Sequence, residues 1–202
     1  MSGGVDSAVA AGLMLNQGYS VIGVTLRLWT GTPGDEPVRG CCSLAGVQDA
    51  RETCAQLGIE HYVADVSDAF RTNVVDPFVE AYAQGRTPNP CTACNAVVRF
   101  RTMAGLADRF GCDCIATGHY ARVRQSVATG RWELLTGVCA DKDQSYMLYG
   151  LTQDLLSRTL FPLGDIESKA RTRALAREFG LHVADRSDSQ DICFVGAGGY
   201  EE

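Results

Sequence analysis

The spacing of apolar residues along the chain alternates between the period of a helix and the short runs typical of strands. Helical spacing predicts helices over residues 8–17, 47–57, 68–84, 96–110 and 168–179. Apolar or alternating runs predict strands over residues 19–29, 60–66 and 113–118, followed by a hairpin over 121–137. Strands that alternate with helices imply an α/β protein with a parallel sheet and crossover helices, whose ligands bind at the carboxyl ends of the strands.

The ends of the first two helices carry recognisable signals. Asp6 or Ser7 is expected to cap the first helix, and Gly18 to end it. The second helix is expected to end at Gly58 and to present Cys54 on its apolar face. This position predicts a buried, structural thiol.

The composition is that of an ordinary globular protein. The 202 residues are 46% hydrophobic, which is enough for the core of one domain. There is no run of about 18 apolar residues and no secretory signal, so we expect a cytoplasmic protein that does not enter a membrane. The nine cysteines are an odd number, which in this setting indicates catalysis, metal binding or buried thiols rather than disulfides.

The charge argues against a protein that coats nucleic acid without specificity. The formal net charge is −6, whereas such binding depends on Lys and Arg side chains that neutralise phosphates. Lys169, Arg173 and Arg177 nevertheless recur every four residues and therefore share one face of the last helix. They form either a small phosphate-binding stripe or an ordinary solvated face.

The strongest local motif is the hexapeptide SGGVDS at residues 2–7, directly before the first helix. It has neither the lysine of a Walker loop nor the glycine spacing of a dinucleotide fingerprint. Adjacent glycines let backbone N–H groups curl around an oxyanion, two serines add hydroxyl donors, and the helix contributes its positive end. Without the Walker lysine, such a loop suits a pyrophosphate leaving group. The structural alternative is a glycine-rich turn that merely enters a helix.

SGGVDS resembles the pyrophosphatase loop of enzymes that adenylate a substrate oxygen with ATP. Four further motifs follow it in order: RTPNPCTACN (86–95), ATGHYARV (116–123), KDQSYMLY (142–149) and DSQDICFVG (188–196). Together the five motifs resemble the tRNA-specific 2-thiouridylase family along essentially the whole chain. The resemblance implies a Rossmann-like, doubly wound parallel sheet of the adenine-nucleotide alpha-hydrolase type.

The resemblance also implies a domain organisation. Residues 1–202 would be the catalytic domain, with Met1 as the last residue of the family's first strand, so that most of this strand is lacking. The linking domain and the C-terminal β-barrel of the family would lie outside this chain.

The reaction that the resemblance implies has two parts. ATP, with Mg²⁺, would adenylate the C2 oxygen of the wobble uridine in tRNA, and sulfur would then replace the activated oxygen. Cys193 would carry the sulfur as a persulfide received from a sulfur-donor protein, and Cys94 would be the partner thiol. Cys94 is expected at the start of the helix over 96–110, where the helix end would lower the pKa of its thiol. Alternatively, Cys91, Cys94 and Cys193 would hold a [4Fe-4S] cluster by three thiolates.

The family pattern also assigns binding residues. The flipped uridine would be held by Asn89, Pro90 and Cys91, because chemistry on a base edge requires the base to leave the stack. Contacts to tRNA would come from His119, Lys142, Asp143 and Gln144. Gly118 would let the backbone approach the nucleotide closely. The residues implied for ATP are Met1, Ser2, Gly3, Gly4, Val5, Asp6, Ser7, Leu26 and Gly118, and no protein-bound metal is implied.

Two other classes of function remain open from the sequence. An amidating ligase with the same loop would use ammonia and would not need Cys94 or Cys193. A non-catalytic module would bind zinc or iron through the C-x-x-C pair and would not turn over ATP. The remaining cysteine pairs, Cys41 with Cys42 and Cys112 with Cys114, are interpreted as structural because their spacing is poor for a metal site.

Overall fold

The computed structural model describes residues 1–29, 44–187 and 192–194. No helix in these ranges is long and apolar enough to cross a membrane. The helices are α1 (Val5–Asn16), α2 (Leu44–Leu57), α3 (Ser67–Phe70), α4 (Asp76–Ala83), α5 (Pro90–Ala93), α6 (Phe100–Phe110), α7 (Gln153–Ser157) and α8 (Lys169–Glu178), with π-helical turns at Arg71–Val75 and Cys94–Arg99. The strands are β1 (Gly23–Arg27), β2 (His61–Asp65), β3 (Ile115–Ala116), β4 (Ala121–Gln125), β5 (Trp132–Thr136) and β6 (Thr159–Leu160).

The strands pair as the α/β prediction requires. β1 runs parallel to β2, with Gly23 opposite His61, and β3 runs parallel to β6, with Ile115 opposite Thr159. β4 and β5 form the predicted antiparallel hairpin. The α/β class with parallel strands is therefore confirmed. Within the described residues, the parallel strands form two separate pairs, β1 with β2 and β3 with β6.

One apolar cluster joins the first and last helices. Val5 and Val9 of α1 are almost fully buried and pack with Leu175 and Ala176 of α8. This packing brings the amino end of α8 beside the SGGVDS loop.

A second apolar cluster lies under β1. It contains Val24 and Leu28 together with Cys94 and Val98 from the π-helical turn that precedes α6. Cys193 and its neighbour pack against the same cluster, so two distant cysteine motifs meet beneath one strand.

The first helix begins three residues earlier than predicted, at Val5. Its N-cap residue is Gly4, and no side chain caps it, so the prediction that Asp6 or Ser7 is the cap is wrong. Both residues lie inside the first turn, where their side chains bond elsewhere. Gly18 follows the helix with a φ of +88°, which confirms that it ends the element.

The second and third predicted helices also have identifiable signals. Cys54 is 1% exposed, and burial raises the pKa of its thiol, so it is the structural cysteine that the pattern predicts. Pro77 lies in the first turn of α4, directly after the π-helical turn Arg71–Val75. Cys41 and Cys42, interpreted above as structural, lie outside the described residues.

Candidate nucleotide and thiol site

The SGGVDS loop is held in shape by its own two serines. The backbone N–H of Ser2 donates to Ser7 Oγ at 3.1 Å, and the two hydroxyl oxygens lie 3.0 Å apart. Gly3 has a φ of +72°, and a Cβ on it would lie 2.3 Å from the carbonyl oxygen of Gly46 in α2. Only glycine fits at this position, and its backbone packs directly against α2. The amino end of α1 carries no side-chain cap, and exposed N–H groups at a helix start are what an oxyanion site needs.

Asp6 is the centre of a polar network that joins residues far apart in the sequence. Lys169 Nζ donates to both of its carboxylate oxygens, each at 2.8 Å. The Tyr120 hydroxyl donates to Asp6 Oδ1 at 3.2 Å and lies 2.7 Å from Thr172 Oγ1. Burial raises the pKa of the Tyr120 phenol, so the hydroxyl keeps its proton and acts as a donor. Sequence reasoning missed this network; the spacing of Lys169 and Thr172 on one face of α8 was its only trace.

The three basic residues of α8 do not form one exposed phosphate-binding stripe. Lys169 reaches the loop, with a side chain 15% exposed. Arg173 donates to the carbonyl of Ala184 at 2.7 Å, and Arg177 pairs with Asp185. Tertiary contacts turn these cations toward their own chain, so neither of the two alternatives, a shared phosphate-binding stripe or an ordinary solvated face, describes all three residues.

A cavity of about 560 Å³ opens beside the loop, between β1 and β3. Six of the residues predicted to bind ATP line it, whereas Gly3, Gly4 and Val5 do not. The six are Met1, Ser2, Asp6, Ser7, Leu26 and Gly118.

Gly118 has a different immediate neighbour from the one predicted. A Cβ at this position would lie 2.7 Å from the carbonyl carbon of Asp6 and from the nitrogen of Ser7. The close approach that needs glycine is thus to the backbone of the first turn of α1, and this contact packs the start of α1 against the segment that follows β3.

The helical segment that carries Cys91 and Cys94 begins earlier than predicted. Asn89 is its N-cap, and its side-chain oxygen accepts from the N–H groups of Cys91 (3.0 Å) and Thr92 (3.3 Å). Pro90 occupies the first helical position, as proline prefers. Cys94 therefore lies beyond the first turn, and the prediction that it starts the helix is wrong. The electrostatic effect of a helix N-terminus falls off within the first turn. The proximity of a helix end is therefore no reason to expect a lowered pKa for the Cys94 thiol.

The three predicted thiols share one pocket. A cavity of about 130 Å³ is lined by Cys91, Cys94 and Cys193. Cys94 is only 6% exposed. Cys193 lies in a turn, and it is positioned by Phe194, whose ring packs edge-on against Phe70 at 5.7 Å.

Arg99 and His119 line both cavities and so mark the place where they meet. His119 Nδ1 lies 2.9 Å from Thr117 Oγ1. Burial, and then the nearby charge of Arg99, lower the pKa of His119 to about 3, so its imidazole is neutral at neutral pH. Arg99 was not singled out in the sequence, since an arginine in the middle of a helix carries no distinctive pattern.

The other residues predicted to contact tRNA, Lys142, Asp143 and Gln144, line neither cavity. Gln144 Oε1 accepts from the N–H of Tyr120 at 3.1 Å, and Asp143 Oδ1 accepts from the N–H of Gly137 at 2.8 Å. Both side chains thus stabilise the turn that holds Lys142.

Two further groups carry thiol or metal-ligand chemistry outside these cavities or at their edge: Cys114 and an acidic cluster near His182. Burial, and then the charge of Asp113, raise the pKa of Cys114, which is unfavourable for a reactive thiol. Among the described residues, only Asp49, Glu52 and His182 bring three ligand-type atoms together, and the Arg186 guanidinium already pairs with Asp49.

Sequence comparison identifies relatives along almost the whole chain. Residues 1–197 match the family model described as "tRNA methyl transferase HUP domain". Proteins named tRNA-specific 2-thiouridylase MnmA are 49% identical over 195 residues in Heliobacterium modesticaldum and 52% identical over 200 residues in a Nostoc species. These alignments cover 96% and 98% of this chain but 50% and 54% of those proteins. The chain thus spans about half the length of the curated relatives it matches.

A solved structure shares the fold. The NMN synthetase of Francisella tularensis superposes with a TM-score of 0.55 at 20% identity, covering 94% of this chain and 64% of that one. At this identity the likeness concerns the fold alone, and it agrees with the α/β architecture described above. From its sequence match and its fold, the chain belongs to the tRNA methyl transferase HUP domain family.

Proposed function

We propose that residues 1–202 are the catalytic domain of a tRNA-uridine 2-sulfurtransferase, which uses ATP to replace the C2 oxygen of the wobble uridine with sulfur. The observation that carries the proposal is the junction of the two cavities. The loop suited to a pyrophosphate group and the pocket of three thiols meet at Arg99 and His119. The names of the relatives support the same reaction.

The first step is adenylation. The C2 oxygen of uridine attacks the α-phosphorus of ATP, the bond to the β-phosphate oxygen breaks, and pyrophosphate leaves. The N–H groups at the start of α1 would bind the departing phosphates, and Lys169 would supply the cation that the loop lacks. In this role Lys169 would divide its contacts between Asp6 and the pyrophosphate.

Mg²⁺ fits this arrangement through Asp6. Its carboxylate lines the large cavity, and carboxylate and phosphate oxygens are the ligands that Mg²⁺ prefers. The ion would neutralise charge on the phosphates. Tyr120 and Lys169 hold the carboxylate in place beforehand.

The second step is sulfur transfer, with two electrons supplied by the thiols. The terminal sulfur of a Cys193 persulfide attacks C2 of the adenylated uridine, and AMP leaves with the former C2 oxygen. The thiolate of Cys94 then attacks Cys193 Sγ, which breaks the bond to the transferred sulfur. The products are 2-thiouridine and a Cys94–Cys193 disulfide, which an external thiol reductant must reopen. The persulfide sulfur would come from a sulfur-donor protein, in the cytoplasm.

The substrate base would enter through the thiol pocket. Pro90 and Cys91 line this pocket, and the capped start of α5 at Asn89 holds them in place. His119, neutral and at the junction, would contact the base or the flanking tRNA without placing a second cation beside Arg99. Lys142, with Asp143 and Gln144 supporting its turn, would contact the tRNA backbone.

A second route for the sulfur uses the same pocket. Cys91, Cys94 and Cys193 all line it, which supports a route in which the three thiolates would hold a [4Fe-4S] cluster. We favour the persulfide route, because the cysteines do not form the dense sequence runs typical of cluster sites.

The decisive experiment follows both products of the reaction. Incubation with ATP, unmodified tRNA and a persulfide donor should yield AMP, pyrophosphate and 2-thiouridine, measured by nucleotide chromatography and nucleoside mass spectrometry. Cys94→Ser and Cys193→Ser should abolish thiolation, whereas the half-buried Cys112→Ser should retain it. Formation of ADP and phosphate would contradict adenylation, and transfer of ammonia by the Cys94→Ser protein would identify an amidating ligase instead.

A further inference from the structure

A guanidinium group contacts the SGGVDS loop from outside the two cavities. Arg186 follows the 3₁₀ turn His182–Asp185 and donates from Nη1 to the carbonyl oxygen of Gly3 at 3.1 Å. The two residues are 183 positions apart in the sequence. Arg186 lines neither cavity, and the proposed function gives it no role.

The contact fixes the direction of the peptide group between Gly3 and Gly4. A trans peptide is planar, so its C=O and N–H bonds point in opposite directions. Arg186 holds the Gly3 oxygen on one side of this peptide. On the other side, the Gly4 nitrogen lies 3.4 Å from Ser2 Oγ, and Ser2 lines the large cavity. The Gly4 N–H is therefore turned toward the space in which the phosphates would lie.

Two glycines leave this peptide group with little preference of its own. Its rotation changes ψ of Gly3 and φ of Gly4, and neither residue has a Cβ to oppose the rotation. A rotated peptide would direct the Gly3 oxygen toward the phosphates and repel them. A contact to this oxygen therefore decides whether the loop presents a donor or an acceptor to an anion.

Asp49 of α2 orients the guanidinium of Arg186. Its Oδ2 pairs with Nη1 of Arg186, and its Oδ1 lies 3.6 Å from His182 Nε2. Nη1 carries two protons, so it can serve Asp49 and the Gly3 oxygen together. Because the guanidinium is a rigid planar fork, a carboxylate on one donor also sets the direction of the other donors.

The same face of α2 also contacts the loop directly. A Cβ on Gly3 would meet the carbonyl oxygen and Cα of Gly46, at 2.3 and 2.9 Å. Gly46 and Asp49 are three residues apart and therefore lie on one face of the helix. α2 thus supports Gly3 in two ways, by packing against its Cα and, through Arg186, by holding its carbonyl group.

We infer that Arg186 is a positioning residue for the adenylation step. It holds the Gly3 oxygen away from the phosphates, so that the Gly4 N–H joins the N–H groups at the start of α1 in binding pyrophosphate. Arg186 does not touch the pyrophosphate itself, and Asp49 acts by orienting Arg186. The inference rests on the proposed function only through pyrophosphate binding at the loop, and on none of its sulfur chemistry.

Binding of inorganic pyrophosphate tests this role without turnover. In calorimetric titrations with Mg²⁺ present, Arg186→Met should bind pyrophosphate at least about tenfold more weakly than the parent protein. Arg186→Lys keeps a cationic donor and should recover part of the affinity. Adenosine has no phosphates, so its affinity should be the same in all three proteins.

Arg177→Met is the charge-matched control. Arg177 pairs with Asp185 in an exposed salt bridge, and such pairs contribute little. This variant loses the same charge as Arg186→Met but should bind pyrophosphate as the parent protein does.

Asp49→Asn separates positioning from direct contact. The amide no longer fixes the guanidinium, so positioning predicts weaker pyrophosphate binding. If Arg186 bound the phosphates itself, loss of the competing carboxylate would instead free its charge and strengthen binding. Glu52→Gln removes the same charge from α2 and corrects for the general electrostatic effect. Because Asp49→Asn retains Arg186, it tests the inference even if Arg186→Met does not fold.

Three results would overturn the inference alone. Equal pyrophosphate affinity in Arg186→Met and Arg177→Met would show that the contact to Gly3 has no effect on the loop. Equal losses of pyrophosphate and adenosine affinity in Arg186→Met would make the role merely structural. Tighter pyrophosphate binding by Asp49→Asn than by Glu52→Gln would make Arg186 a direct ligand. A parent protein that binds adenosine but not pyrophosphate would overturn the proposed adenylation as well.

Discussion

Lys169 contacts both carboxylate oxygens of Asp6 at 2.8 Å, although 163 residues separate them along the chain. The pair is mostly shielded, with side chains 15% and 32% exposed. In a Walker loop the lysine follows the glycines in sequence; here the lysine beside the SGGVDS loop is the first residue of α8. The start of α1 and the start of α8 therefore form one site.

Loss of this cation should weaken adenylation more than folding. Lys169→Ala should lower tRNA-dependent pyrophosphate release at least about tenfold, equivalent to about 1.4 kcal/mol, and Lys169→Arg should recover part of it. Arg171→Ala is the matched control, because Arg171 on the same helix pairs with Glu178 in an exposed salt bridge that contributes little. Equal losses in the two alanine variants would contradict the role of Lys169.

Variants of the three cysteines should distinguish the persulfide route from the cluster route. On the persulfide route, Cys91→Asp should still thiolate tRNA, whereas Cys94→Ser and Cys193→Ser should not. The measurement is 2-thiouridine by mass spectrometry together with bound iron, on protein purified without oxygen. Stoichiometric iron with an inactive Cys91→Asp protein would establish the cluster instead.

His119 should make the protein less stable in acid. Its pKa is about 3 in the folded state, below the ordinary value of 6.5, so the unfolded chain binds the proton more readily. The stabilisation is complete above about pH 6.5 and is lost as the pH falls toward 3. Urea unfolding should show a decrease of up to about 2 kcal/mol between pH 7 and 5, to which His61 adds in the same direction.

Two variants isolate the contribution of His119. Arg99→Met removes the neighbouring positive charge, so the pKa of His119 should rise, as followed by NMR of the ring proton. His119→Gln should flatten the acid dependence of the free energy of unfolding. An unchanged slope in the glutamine variant would show that other groups cause it.

Gly118→Ala should disturb the loop through its backbone. The added Cβ would lie 2.7 Å from backbone atoms of Asp6 and Ser7. Overpacking of this kind typically lowers the free energy of unfolding by about 1–3 kcal/mol. Gly105→Ala in α6 is the control, since its Cβ would meet no atom within 4 Å and alanine favours a helix. Thermal unfolding should place the two variants on opposite sides of the parent protein.

Local signals predicted the elements well where propensity and packing agree. Gly18 and Gly58 end their helices with positive φ, as the sequence indicates. Ser168, the first residue of the last predicted helix, is the N-cap of α8 and accepts from Arg171 N–H. The start of the cysteine helix was missed although Asn89 and Pro90 carry a standard start signal. The predicted start at Ala96 followed the apolar spacing from that residue onward and left out the cap at Asn89.

Long-range contacts account for what the sequence left unpredicted. The contacts of Tyr120 with Asp6 and Thr172 join residues from three distant motifs, and no local pattern encodes such pairing. The contacts of the basic residues of α8 could not be predicted for the same reason, because helical spacing shows that these residues share a face but not what lies opposite. The convergence of Cys94 and Cys193 came from the resemblance, and burial alone would have suggested two core thiols.

The π-helical turn Cys94–Arg99 sets the angular phase between the thiols and the rest of their helix. Such a turn holds one more residue than an α-helical turn, and each residue of an α-helix rotates its side chain by about 100°. Removal of Val97, which is 38% exposed, would restore α-helical winding and rotate α5 with Cys91 and Cys94 relative to α6. The shortened helix would remain helical, but Cys91 and Cys94 would lose their present orientation toward the pocket that Cys193 also lines. The π-helical turn thus fixes the direction in which these two thiols face.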